Sequence, residues 1–348
     1  MGNIPTRMGD GSFIEMSESD LKRDLEAGTV DAVERADVTP LSGDELKYLL
    51  DLFLIPSKFL AVESGREIVL SIDGGTIKAR NLGISTGRIQ TIQFFERALG
   101  FDTMELAHVD YSWKQLKTIT GWEQPDLEQA LLVSTIPLFY GAMPNLGMYT
   151  RPDGPVPNPA DLLPRGQIPE ARAAHEEAVT YAINDMVYVA SKMYESGADG
   201  INFDTTGAAG DPDFLAALRA TEILKQKYPD ICIELGMAGE FVLGMHGEIS
   251  YDGVRLAGLY PHEQVKLAQK AGATIFGPAI NTSPTKSFPW NLARTATFVK
   301  ACVKNAGIPV HIDLGMGVGA APVVVNCPSE ATSRAAKALV EICDLDGL

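Results

Sequence analysis

Ser196-Gly-Ala-Asp-Gly-Ile-Asn-Phe-Asp-Thr-Thr-Gly207 is the stretch on which the fold turns. Upstream of it, Val179, Ile183, Met186, Val187, Ala190 and Met193 recur at intervals of three and four, the spacing of one buried helical stripe. Gly197 can end that helix, and a strand follows at once. Side chains alternate along a strand, so Ile201 and Phe203 face one way while Asn202 and Asp204 face the other.

The same joint returns at Lys270-Ala-Gly-Ala-Thr-Ile275 and at Asn305-Ala-Gly-Ile-Pro-Val310. Strand candidates fall at 103–110, 132–141, 200–205, 231–236, 274–280 and 309–314, with helix candidates at 213–228, 262–271, 291–305 and 329–342. Strands alternating with helices predict βαβ units and a parallel sheet. The expected fold is therefore α/β, a (β/α)8 TIM-type barrel with about six of its eight strands within residues 99–348. Residues 1–98 read as an N-terminal extension. There, Glu67-Ile-Val-Leu-Ser-Ile-Asp73, the Gly74-Gly75 turn and Thr76-Ile-Lys-Ala79 predict a small β-hairpin. Residues 148–169 are proline-rich and read as a long loop where an active-site lid can sit. The last residues, Glu341-Ile-Cys-Asp-Leu-Asp-Gly-Leu348, copy the helix-to-strand joint and predict a seventh strand beginning there. An open six-stranded sheet with exposed edges is the alternative.

A chain of 348 residues with 45% hydrophobic and 21% charged residues can bury a large core. Its apolar stretches are too short or too interrupted to cross a bilayer, and its first residues lack the apolar centre of a secretory signal. A cytoplasmic location is expected. The four cysteines, Cys232, Cys302, Cys327 and Cys343, stand apart and are expected to be reduced. A formal charge of −16 repels phosphate backbones and anionic headgroups, so neither nucleic acid nor membrane is an expected partner. Cationic substrates are compatible with it, and so is an acidic surface that merely keeps the protein soluble.

Polar residues on the inner faces of the strands supply the candidate chemistry. Ile231-Cys-Ile-Glu-Leu235 sets Glu234 opposite the aliphatics, and Val310-His-Ile-Asp-Leu314 does the same with His311 and Asp313. In a parallel barrel these faces point inward, and active sites form at the strands' C-terminal ends. Asp204, Glu234, Glu240, His311 and Asp313 are the catalytic candidates; Asn202, Asn281, Glu105, Asp110 and His246 are candidates for substrate binding. Carboxylates in such a pocket can hold an ammonium ion or move protons to and from an amine. A lone His246 in a glycine-rich turn is more often a loop-stabilising residue, and each of the other residues can also serve simply as a hydrogen-bonded fixture of a loop. Gly315-Met-Gly-Val-Gly319 needs no ligand to be explained as a compact loop.

No Gly-x-x-x-x-Gly-Lys-Ser/Thr loop, Gly-x-Ser-x-Gly elbow or His-Glu-x-x-His helix occurs, so nucleotide hydrolysis, serine-hydrolase and zincin chemistry lose their simplest support. No thiolate zinc site is legible, and no metal is expected.

Several long segments carry a family resemblance. They include Arg7-Met-Gly-Asp-Gly11, Asp102-Thr-Met-Glu-Leu106, Ile136-Pro-Leu-Phe-Tyr-Gly-Ala-Met-Pro-Asn145, Ser196 through Asp211, Gly236-Met-Ala-Gly-Glu240, Leu243-Gly-Met-His-Gly247, Trp290-Asn-Leu-Ala-Arg294 and Gly315 through Gly319. With them the sequence resembles the dimethylamine:corrinoid methyltransferases of methylotrophic methanogens and some anaerobic bacteria, over essentially its whole length. The resemblance implies transfer of one methyl group from dimethylamine to the Co(I) corrinoid of a separate cognate protein, leaving methylamine. It implies no cofactor bound directly to this chain, which lacks the Asp-x-His-x-x-Gly corrinoid signature. It also implies a pyrrolysine directly after the segment matching Asp346-Gly-Leu348, so the 348 residues alone are expected to be inactive. A homo-oligomer is compatible with the sequence. A noncatalytic amine-binding barrel and a barrel lyase using the same acidic pocket are the competing readings, although a lyase of this kind wants a strand-end lysine that none of the six strands offers.

Overall fold

The computed structural model describes residues 3–61, 146–244, 248–324 and 327–348, and between 62 and 145 the backbone of short strands. Strands β1 (Ile4–Arg7) and β2 (Phe13–Met16) open the chain as an antiparallel pair. Helices α1 (Glu18–Ala36) and α2 (Gly43–Leu54) follow. Each starts at a serine, Ser17 or Ser42, that accepts from the amide three residues on, while Asp20 or Glu45 at that position bonds back to the serine amide. These reciprocal bonds satisfy donors that a helix start otherwise leaves orphaned.

Six strands then form one sheet in chain order, with every pair parallel: β3 (Val69–Gly74), β4 (Asp102–Val109), β5 (Leu138–Ala142), β6 (Gly200–Thr206), β7 (Cys232–Met237) and β8 (Ile275–Gly277). Helices α3 (Ile168–Glu195), α4 (Asp211–Lys227) and α5 (Pro261–Ala271) separate the later strands, and α6 (Phe288–Asn305) and α7 (Ser329–Cys343) complete the chain. The architecture is mixed α/β. Parallel pairing continues past β8: Phe276 bridges to Val310, and His311 bridges to Gly347. The amides of Asp346 and Gly347 donate to the Val310 carbonyl at 3.2 and 3.1 Å, so the segment after α7 runs beside Val310 and His311.

The expected hairpin at Gly74-Gly75 is corrected here. Val69–Gly74 pairs in parallel with Asp102–Val109 and is the edge strand of the main sheet, although it lies within the residues assigned to the extension. A two-glycine turn signal is local, whereas the partner that wins lies some thirty residues away, beyond the reach of local pattern. The strand expected at 309–314 is reduced to the bridges at Val310 and His311.

Two of the three similar joints end with a left-handed glycine, Gly197 (φ 107°) and Gly272 (φ 103°). The third differs. Ala306 leaves α6 in extended conformation, and the Gly307 amide donates to Gln269 Oε1 at 2.8 Å.

Ile201, Phe203, Ile233, Leu235, Phe276, Val310 and Ile312 are at most 1% exposed and form the centre of the core. The N-terminal helix is locked onto this body through α6. Gly28 of α1 lies so close to α6 that an added Cβ would stand 2.2 Å from the Trp290 carbonyl oxygen. The hydroxyls of Thr29 and Thr297 meet at 2.9 Å across the same contact. Among the described residues, no helix is long and apolar enough to cross a membrane.

Candidate active site

Asn202 and Asp204 alternate with buried Ile201 and Phe203 along β6; Glu234 and Gly236 alternate with Ile233 and Leu235 along β7. Gly277 ends β8, and His311 and Asp313 flank buried Ile312. Because these positions are two apart, their side chains share one face of the sheet, and the residues line a single pocket with Met237 and Pro278. Its space is about 320 Å³ counting the open mouth, with about 10 Å³ wide enough to centre a water-sized sphere. In this conformation the enclosed part has room for about one water molecule.

At its centre His311 Nδ1 lies 2.7 Å from Glu234 Oε1, with both side chains buried. Burial disfavours the charged imidazole. The charge and hydrogen bond of Glu234, the charge of Asp313 and a hydrogen bond that His311 donates to the Leu348 backbone outweigh it, and His311 is pushed up to about 9. At neutral pH His311 is therefore held as an imidazolium against Glu234. With Asp204 and Asp313 counted, the lining carries three carboxylates against one imidazolium. Such a pocket favours a cation.

Two oxygens of the lining are buried without a partner, Glu234 Oε2 and Asn202 Oδ1. Leaving an acceptor in this state costs about 1–3 kcal/mol, which a donor bound in the pocket can recover. Asp204 is half-buried and accepts from the Thr205 amide at 2.6 Å. The turn that follows is held by the fully buried Asp213, whose Oδ2 accepts from the amides of Gly207 and Ala209 at 3.0 and 3.4 Å. Burial pushes the Asp213 carboxyl up to about 7.

Glu240 does not join this pocket. Its two oxygens take a bidentate grip from buried Arg294, at 2.8 and 2.5 Å, and Arg294 Nε reaches Asp31 of α1 at 2.7 Å. Asn281 accepts from the Glu240 amide at 3.3 Å, and both residues line a separate cleft of about 570 Å³ between α1 and α6. Of the other sequence candidates, Glu105 lies on β4 with its side chain outside the described residues, as are Asp110 and His246 altogether. The loop 315–319 is compact: Gly319 N–H donates to the Ile280 carbonyl at 3.0 Å, and a Cβ on Gly319 would stand 2.4 Å from the Asp313 carbonyl oxygen.

Sequence reasoning missed two features. Gly236 and Gly277 face each other across β7 and β8 and leave the pocket floor open. Their signal was glycine on the polar face of a strand, which marks close approach of something else. Arg294 was quoted only within a longer segment, and nothing local ties it to Glu240.

Among solved structures, the chain is similar to a chitinase from Chromobacterium violaceum ATCC 12472, at 12% identity over 71% of this chain and 68% of that one, with a TM-score of 0.37. It is also similar to the spore cortex-lytic enzyme SleL of Bacillus megaterium QM B1551, at 10% identity over 83% of this chain and 59% of that one, with a TM-score of 0.36. At these values neither likeness bears on function. A profile described as dimethylamine methyltransferase (Dimeth_PyL) matches residues 2–348. A match over that span places the chain in the dimethylamine methyltransferase family.

Proposed function

We propose that this chain carries the amine site of a corrinoid-dependent methyltransferase, which moves one methyl group from dimethylamine to the Co(I) corrinoid of a separate protein and releases methylamine. The observation that carries the reading is the small acidic pocket around the buried Glu234–His311 pair, whose lining includes two buried oxygens without a partner. At neutral pH dimethylamine is a compact cation with two N–H donors. Glu234 holds it by charge and hydrogen bond, Asp204 and Asp313 add to the negative potential, and the hydrogen bond between Glu234 and His311 keeps Glu234 aimed. Loss of a proton makes the nitrogen a nucleophile, and Glu234 is the group placed to accept that proton. Glu240, clamped by Arg294, serves as a buttress between α1 and α6.

The fold proposed is a (β/α)8 barrel, with Val310–His311 and Asp346–Gly347 in its last two strand positions; their parallel bridges support it. The family resemblance supports a pyrrolysine at the residue after Leu348. Gly347 pairs with His311 of the pocket lining, which supports that reading. Its ring imine would supply an electrophile for the amine, which no carboxylate can do. The 348 residues alone are then inert in methyl transfer. A cytoplasmic site of action goes with a reduced corrinoid partner and free thiols.

The test is amine-dependent methylation of the corrinoid protein by the 348-residue chain and by a product extended through the next codon. The reading expects transfer only from the extended product, with dimethylamine as donor, and a fall of roughly a hundredfold or more in its Glu234→Gln variant. Transfer by the 348-residue chain, or an unaffected rate in that variant, overturns the assigned roles.

A further inference from the structure

Asn202 and Glu234 are direct neighbours in the β6–β7 register, so their side chains leave the same face of adjacent strands. Asn202 is 4% exposed and Glu234 is 2% exposed. Glu234 Oε1 is engaged by His311, while Glu234 Oε2 and Asn202 Oδ1 are both buried and without a partner. Both side chains overhang the glycine floor: a Cβ on Gly236 would lie 3.5 Å from Asn202 Oδ1, and a Cβ on Gly277 would lie 3.6 Å from Glu234 Oε1. The pocket lining thus holds two buried acceptors without a partner, on neighbouring strands.

We propose that Asn202 is the specificity-determining residue of this pocket, its Oδ1 acting with Glu234 Oε2 to count the N–H groups of a bound ammonium ion and to select a cation that has two. This rests on the reading that the pocket binds methylated ammonium ions. Glu234 provides the charge that any such cation needs, so it sets affinity for the whole series. Asn202 is neutral and adds little beyond one directed hydrogen bond. Methylammonium brings three N–H groups, one more than these two oxygens accept. Trimethylammonium brings one, which goes to the carboxylate, and leaves Asn202 Oδ1 orphaned. Dimethylammonium satisfies both oxygens and leaves nothing over. Sites built to hydrogen-bond a substrate group discriminate strongly because a mismatched ligand leaves their own polar atoms unpaired.

The experiment measures binding of methyl-, dimethyl-, trimethyl- and tetramethylammonium to the 348-residue chain by calorimetry, for the wild type and for Asn202→Leu, Asn202→Asp and Glu234→Gln, with thermal melts as a check on folding. The wild type is expected to bind dimethylammonium about tenfold more tightly than trimethylammonium and to bind tetramethylammonium least. Asn202→Leu should lose about tenfold for dimethylammonium and leave trimethylammonium unchanged, so that the two converge. Asn202→Asp keeps an acceptor and should keep the wild-type order, and Glu234→Gln should weaken all four cations. An Asn202→Leu variant that keeps the wild-type ratio, or that weakens all four cations equally, overturns the role of Asn202 while leaving the amine site standing. Wild-type preference for trimethylammonium overturns it without recourse to a variant. Failure of the wild type to bind any of the four overturns both this inference and the amine-site reading.

Discussion

The Glu234–His311 pair makes protein stability depend on pH in a way that a second variant can isolate. His311 titrates near 6.5 when the chain is unfolded and is pushed up to about 9 in the fold, chiefly by Glu234 against the opposing effect of burial. A raised histidine pKa means that the folded state binds the proton more tightly. The resulting stabilisation is fully present below pH 6.5 and is lost as pH rises through 9. The difference of about 2.5 units is worth about 3 kcal/mol, and both side chains are buried, so solvent screening removes little of it. Glu234→Gln removes the charge that raises His311 and leaves burial, which lowers it. Urea denaturation at pH values from 6 to 10 should therefore show wild-type stability falling by about 3 kcal/mol relative to the variant. The titration of the His311 ring, followed by NMR, should move down from about 9 in the wild type when Glu234 loses its charge, because burial is then opposed only by Asp313 and the bond to Leu348. Parallel stability curves for the two proteins across that range would refute the pairing as the source of the shift.

Other substitutions test the frame around the pocket. Gly236→Ala places a methyl group 3.3 Å from Asp204 Oδ1 and 3.5 Å from Asn202 Oδ1, so dimethylammonium affinity should fall at least tenfold by calorimetry while the circular dichroism spectrum stays unchanged. Arg294→Leu strands buried Glu240 without its bidentate partner and should cost about 3–5 kcal/mol in a denaturant titration, whereas Arg35→Leu, at a half-exposed ion pair, should cost under about 1 kcal/mol. Gly28→Ala drives a methyl group to 2.2 Å from the Trp290 carbonyl and should lower the melting temperature by separating α1 from α6, an effect of about 1–3 kcal/mol. Asp213 has a folded pKa raised to about 7, so its contribution to stability declines as pH rises from 4 to 7; Asp213→Asn should flatten the stability profile over that interval.

Much of the later half of the fold is written in local pattern. Six apolar positions at helical spacing predict the helix observed at Ile168–Glu195, and the alternation of Ile201, Asn202, Phe203 and Asp204 matches the burial found along β6. Helix ends at Gly197 and Gly272 are legible because only glycine adopts a left-handed conformation there at no steric cost. The same alternation assigns Asn202, Glu234, His311 and Asp313 to one face, which is why the sequence could name most of the residues that line the pocket.

What the sequence by itself determined is the strand and helix order and the sidedness of each strand, because both follow from periodicities of 2 and 3.6 residues that neighbouring positions carry. Tertiary structure alone decided that Val69–Gly74 joins the sheet edge, that Arg294 crosses from α6 to draw Glu240 and Asn281 into a separate cleft, and that Gly236 and Gly277 stand opposite one another under the pocket. Each of these depends on which distant segment supplies the better partner for a strand edge, a buried charge or a missing side chain. That choice is made by packing and desolvation across the whole core, and no window of neighbouring residues contains it.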